Sequence, residues 1–203
     1  MTMAAPIRYD ELSRRVQQQC SGTELVNVLP ALRRATRLFF QRTEVWRYRL
    51  DQVDLVAEQS SYSIVPDRNA VVMRILEVRL LSSEEVASGF EGNVTPGQFY
   101  EFTPPSTLVL NDQIKPHAAV TGGLVVKAVL LPNMEAVEVD EQMFNRYGEA
   151  IIAKAVYDLK SEKDKPWTDY KGRDDFKIEY ERGIASARGD LARGFSVGEG
   201  LRA

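Results

Sequence analysis

Hydrophobic positions along this chain repeat with two different periods, and the switch between them divides it. The clearest helical stretch is residues 139–167, where Phe144, Tyr147, Ile151, Ala155 and Leu159 recur at steps of three or four and share one stripe of a 3.6-residue period. Asp140 can cap its first turn by accepting backbone N–H groups, Glu141 stands where the macrodipole favours a negative charge, and Lys160 falls at the opposite end. Residues 161–165 are too polar for a core, and Pro166 disfavours helical geometry at Lys165, so the helix is expected to stop before Trp167. Gly148 in its interior costs about 1 kcal/mol relative to Ala, which predicts a close helix–helix approach there.

The same period predicts a short helix over residues 9–19 on Leu12 and Val16, ended by Ser21-Gly22. A helix of about 20 residues follows from Glu24, with Val28, Leu32, Ala35 and Phe39 on one face and Leu25 and Leu38 beside it. Pro30 leaves two readings: Thr23 caps a kinked helix, or Leu29 caps a shorter one with Pro30 at its first position. Beyond Trp167, residues 170–187 resume helical spacing through Phe176, Tyr180 and Ile184. Met1 to Pro6 reads as frayed.

Between Val45 and Leu131 the period falls to about two. Residues 45–56, 62–66, 71–81, 99–102, 107–110 and 124–131 are predicted strands, with turns at Gly89, Gly92, Pro96-Gly97, Pro104-Pro105, Pro116 and Gly122-Gly123. A block of strands with no helix between them implies an antiparallel sandwich or small barrel. The expected fold is therefore α+β: a helical bundle from residues 1–44 and 133–188, an inserted β domain over 45–132, and an extended C-terminal tail over 189–203. That tail sets Gly189, Gly194, Gly198 and Gly200 among Leu191, Phe195, Val197 and Leu201 and is not expected to hold a helix of its own. The tail is either simply disordered or, since disordered tails are usually poorer in apolar residues, an extended peptide that enters a groove on another protein.

A chain of 203 residues, 44% hydrophobic and 27% charged, can bury a core of one or two domains. The net charge of -3 argues against nucleic-acid binding over the whole surface. The imbalance is local: residues 1–50 hold nine Lys/Arg against four Asp/Glu, and 51–132 hold five against ten. Arg33, Arg34, Arg37 and Arg42 make one side of the second helix basic; this is a phosphate- or partner-facing stripe or, more simply, a solvated face.

Cys20 and His117 are each the only residue of their kind, which excludes a disulfide within the chain, a Cys/His zinc site and a serine triad on any other histidine. No apolar run approaches the roughly 20 residues of a membrane span, and residues 1–10 lack a signal-peptide core, so the chain is expected in the cytoplasm until it is assembled into something. Gly198-Glu199-Gly200 follows no strand and opens no helix, and Asp174-Asp175 and Glu84-Glu85 lack a spaced partner. His117 in its Pro-containing loop reads as exposed, and Ser60-Ser61 and Ser82-Ser83 have no base nearby in pattern. No enzyme, metal or cofactor is expected.

Several segments, taken in order, resemble head-to-tail adaptor (connector, neck) proteins of tailed bacteriophages: Thr43-Glu44-Val45-Trp46, Tyr62-Ser63-Ile64-Val65-Pro66, the strand over 71–81, Pro96-Gly97-Gln98-Phe99-Tyr100, Leu108-Val109-Leu110-Asn111, Lys127-Ala128-Val129-Leu130-Leu131-Pro132, Tyr147-Gly148-Glu149-Ala150-Ile151, Lys165-Pro166-Trp167-Thr168-Asp169 and the helix over 176–188. The likeness runs over roughly residues 24–190. It implies a structural virion protein that forms a ring, commonly of twelve copies, beneath the portal. Such a ring extends the channel for double-stranded DNA without sequence-specific binding and takes part in DNA ejection. It also implies a portal protein as partner of the C-terminal tail through Leu191, Arg193, Phe195, Val197 and Leu201, a tail or nozzle protein below, no membrane, and residence in the virion neck. Similar adaptors often have an acidic channel lining, so Arg33, Arg34, Arg37 and Arg42 are assigned to a subunit interface. The alternatives are another neck or tail-completion ring, a head closure or terminator protein, and a DNA-binding module using the stripe from Arg33 to Arg42.

Overall fold

The computed structural model describes residues 7–66, 69–83 and 99–194. The predicted turns at Gly89, Gly92 and Pro96-Gly97, the Glu84-Glu85 pair and the tail from Phe195 on lie outside them. In chain order the elements are β1 (Ile7–Arg8), α1 (Tyr9–Gln19), α2 (Leu25–Thr43), β2 (Arg47–Arg49), β3 (Val53–Leu55), β4 (Ser61–Ser63), β5 (Ala70–Leu80), β6 (Tyr100–Thr103), β7 (Thr107–Leu110), β8 (Val120–Pro132), β9 (Glu138–Val139), α3 (Glu141–Lys160) and α4 (Arg173–Ala192). The fold is mixed α+β with antiparallel sheets. It divides into two compact units, one from residues up to Val45 and from Pro132 onward, the other from Trp46–Leu131.

In the helical unit α1, α2 and α4 all pack on α3. Apolar residues nearly encircle α3, as a central helix requires: Met143, Phe144, Tyr147, Ile151, Ala155, Val156 and Leu159 are all buried. Asp140 caps it, its carboxylate accepting from the backbone N–H groups of Gln142 (2.9 Å) and Met143 (3.3 Å). Phe39 of α2 fills the centre, its ring centroid 5.3 Å from that of Tyr147 and 6.4 Å from that of Tyr180. β1 pairs antiparallel with β9, Ile7 opposite Val139, and so ties the start of α1 to the entry of α3. Two-residue strands carry no readable period, and this pairing is absent from the sequence expectation.

Two details of the helices correct that expectation. The N-cap of α2 is Glu24, with no side-chain cap bond, and Pro30 lies inside the helix; neither Thr23 nor Leu29 caps it. A Cβ on Gly148 would first meet the ring of Phe144 on its own helix, at 2.6–2.9 Å, so that glycine makes room for a side chain one turn back. The close approach is at Gly183 of α4, where a Cβ would run into that of Ala150 on α3.

In the β unit, β2 and β3 run antiparallel along β8, from Arg47 opposite Val129 to Leu55 opposite Val120, with a register shift between Val53 and Leu55. β5 also pairs with β8. The predicted turn Gly122-Gly123 lies within β8: Gly122 takes a positive φ of 66°, and a Cβ on Gly123 would lie 2.8 Å from Leu55 Cδ1, so only glycines let β3 come this close. A second sheet has the order β4-β7-β6, antiparallel throughout, with Tyr62 opposite Leu108 and both buried. Among the described residues neither sheet closes on itself.

Candidate assembly surfaces

The four arginines assigned to a subunit interface part company on α2. Arg42 forms a two-pronged ion pair with Glu181 of α4 (Nη1 to Oε1 2.8 Å, Nη2 to Oε2 3.1 Å), and its guanidinium carbon lies 5.5 Å from the Tyr180 ring centroid. The hydrogen bond from Arg42 holds the Glu181 carboxyl below its ordinary range, and the same bond raises Arg42. Arg37 donates to the backbone carbonyl of Pro132 at 2.8 Å. Arg33 is half-buried, its Nε enclosed and without a hydrogen-bond partner, close enough to Tyr9 to lower a phenol pKa that burial raises. Arg34 is exposed, and among the described residues it has no ionic or hydrogen-bonded partner. Two of the four guanidinium groups thus hold the helical unit together, and one reaches outward.

At the C-terminal end, α4 continues through Ala192, past the Arg188 at which helical spacing gives out in the sequence. Its last turn is held by Asp190, only 4% exposed, whose carboxylate accepts from Arg146 Nε (2.9 Å), Tyr147 Oη (3.1 Å) and Arg193 Nη2 (2.7 Å). The bond from Arg146 pulls the carboxyl pKa down against the opposing effect of burial, and the bonds from Arg193 and Tyr147 bring it to about 2. Burial first, and then the bond to the carboxylate, push the Tyr147 phenol up to about 12. Leu191 and Arg193 therefore belong to a helix end and not to an extended peptide: Leu191 is half-buried, and Arg193 is bound to Asp190. Phe195, Val197 and Leu201 lie outside the described residues. The i,i+3 spacing of Asp190 and Arg193 was a readable helix signal, masked by the flanking Gly189 and Gly194.

A cleft of about 250 Å³ between α1, α3 and α4 is lined by Arg15, Gln18, Glu149, Ile152, Phe176 and Glu179, and Arg15 pairs with Glu149 across it. Burial pushes the Cys20 thiol up to about 11, which keeps it protonated and unreactive. His117 is exposed beside Glu58, its Nδ1 3.4 Å from Oε1. Among the described residues no group of three or more His, Cys, Asp or Glu side chains could hold a metal ion, and no helix is long and apolar enough to cross a membrane.

No family model and no curated protein matches the chain. Three solved structures to which it is similar come from gene transfer agent particles. The first is from the neck of an empty particle computed with C6 symmetry (14% identity over 92% of this chain and 94% of that one, TM-score 0.33). The second is from the neck of a native particle computed with C12 symmetry (15% identity over 93% and 95%, TM-score 0.31). The third is from the virion of a native particle (15% identity over 89% and 93%, TM-score 0.30). At scores this low the likeness argues neither for a shared fold nor for a shared role.

Proposed function

We propose that this chain is a structural subunit of a phage-type virion neck, a head-to-tail adaptor that forms a ring, commonly of twelve copies, beneath the portal, extends the DNA channel and receives the tail. One observation carries the reading: residues on both sides of the β unit build a single helical unit, with β1 on β9 and α1 and α2 on α3. A β unit set into a helical frame is the arrangement that the resemblance implies, in the same chain order as the segments quoted for it.

Docking on the portal falls to the segment after Gly194. Leu191 and Arg193 are engaged within the chain, which leaves Phe195, Val197 and Leu201 as the residues to be buried by a partner. Each apolar side chain contributes about 1.5–3 kcal/mol when fully buried, before ordering costs, and repetition around a ring multiplies the effect by avidity. A DNA-binding module built on the arginine stripe is the weaker reading, because Arg37 and Arg42 already hold partners in the chain.

The test is co-sedimentation with the portal protein of the same genome, comparing the full chain with one ending at Gly194. Ending at Arg188 would remove Asp190 and confuse docking with folding. Only the full chain is expected to join the portal. Binding by both forms removes the docking segment and keeps the adaptor role; binding by neither overturns the adaptor role in favour of a head-closure or terminator ring.

A further inference from the structure

Among the described residues beyond Ala187 a single one is buried, and it is an acid. Arg188, Ala192, Arg193 and Gly194 are exposed, Gly189 and Leu191 are half-buried, and Asp190 is 4% exposed. Gly189 weakens the turn by its low helix propensity, and nothing lies within 4 Å of where its Cβ would be. The end of α4 is therefore held on the bundle by a carboxylate and not by an apolar side chain. Apolar contact has no direction, whereas hydrogen bonds to fixed donors set an orientation as well as a position.

The two oxygens of that carboxylate face different ways. Oδ2 accepts from Arg146 Nε (2.9 Å) and Tyr147 Oη (3.1 Å), both on α3. Oδ1 accepts from Nη2 of Arg193 (2.7 Å), the residue that caps α4. The backbone N–H of Arg193 closes the turn on the carbonyls of Gly189 (3.2 Å) and Asp190 (3.1 Å), and that of Gly194 donates to the Leu191 carbonyl (3.0 Å). Gly194 does so at a φ of 84°, a left-handed conformation that glycine adopts without strain, and so bends the chain off the helix one residue before Phe195. The Arg193 side chain is 75% exposed, so its arm of the pair adds little to the stability of the bundle. Its effect falls on where, and in which direction, the chain leaves α4.

We infer that Asp190 is a two-sided clamp, one oxygen on α3 and the other on Arg193, that fixes the root of the docking segment over residues 195–203, and that Arg193 acts in docking by positioning this root and not by touching the portal. This rests on the adaptor reading above. The segment has nine residues and reaches about 30 Å at most, and its first apolar side chain, Phe195, follows the clamp directly, so a fixed root aims it. With the clamp open, the turn from Gly189 onward has to be ordered again when the segment docks, and that cost weakens binding. A root held alike in every copy of a ring is also what lets the copies engage the portal together.

A double-mutant cycle tests the clamp. In Asp190→Asn the one amide oxygen stays with the two donors of α3, and the amide NH2 group is left facing Arg193, donor against donor. Arg193→Ala opens the clamp from the other side and leaves both α3 bonds in place. Full-length chains are titrated with the portal protein of the same genome, well below their melting temperatures. Each single variant is expected to bind at least about threefold more weakly, and the double variant no more weakly than Asp190→Asn alone, because both changes cut one bond. Losses that multiply in the double variant overturn the inference, since Arg193 then touches the portal itself; unchanged binding by Arg193→Ala overturns it as well. Amide hydrogen exchange over residues 191–194 reads the clamp without the portal, and is expected to be at least about threefold faster in Arg193→Ala and in Asp190→Asn, with no further gain in the double variant. Unchanged exchange in Arg193→Ala overturns the clamp whatever the portal does. A wild-type chain that ignores the portal counts against the adaptor role alone, and the exchange rates then decide the clamp.

Discussion

Asp190, itself buried, accepts from three side-chain donors, and at the scale of single residues this carboxylate ties α3 to the end of α4. Its folded pKa of about 2 lies below the ordinary value of about 3.9, so ionisation favours the folded state. That contribution is fully present above about pH 4 and is lost as pH falls through about 2. Arg193 is largely exposed, which screens part of the effect and puts the cost of Asp190→Asn at about 1–2 kcal/mol near neutral pH. Denaturant unfolding of both proteins from pH 7 down to pH 2 should show a gap that is constant above about pH 4 and closes toward pH 2. A gap that stays the same across that range would mean the three donors are not what holds the carboxylate.

Among the elements, two glycines of α4 make opposite predictions from one helix. A Cβ on Gly183 would run into Ala150, so Gly183→Ala must push α4 off α3 and is expected to destabilise by about 1–3 kcal/mol despite the better helix propensity of alanine. Gly189 has nothing within 4 Å of its missing Cβ, so Gly189→Ala should stabilise by about 0.5–1 kcal/mol. Thermal unfolding of the two variants checks both signs; a stabilised Gly183→Ala protein would show that the helices do not approach at that point. The same contrast explains what could be read in advance. α1 runs over the predicted residues 9–19, because Leu12 and Val16 are spaced for one buried face and Ser21-Gly22 follows, and the helical stripe of α3 carries its Asp140 cap. Local patterns of this kind need no partner to be legible. The close approach at Gly183 and the extent of α4 are not legible in local spacing, because each depends on side chains distant in sequence: Ala150 in one case, Arg146 and Tyr147 in the other. The arginine stripe divided for the same reason. Spacing put Arg37 and Arg42 on an outer face, but the Pro132 carbonyl and Glu181, 95 and 139 residues away, lie within reach of their long side chains.

For the molecule as a whole, the helical unit is discontinuous in sequence, and its first stretch has no core until its last is made. Tyr9, Leu12, Val16 and Cys20 are all buried, while α1 alone is only 11 residues long, too short to be stable in water without a packed face. Its contacts are with α2 and α3, and β1 joins β9 across more than a hundred residues of intervening chain. Such long-range closure delays folding until residues 132–192 are available, and it leaves the apolar faces of α1 and α2 exposed in the interval. Removing residues 1–20 should therefore unfold or strongly destabilise the helical unit, even though the cut is at a chain end and touches no predicted docking residue. The expected outcome is loss of the cooperative helical transition, or a melting temperature lower by more than about 10 °C, followed by circular dichroism at 222 nm. A melting temperature within about 2 °C of the full chain would show that α2, α3 and α4 suffice. In that event α1 would be a cover laid on a finished bundle.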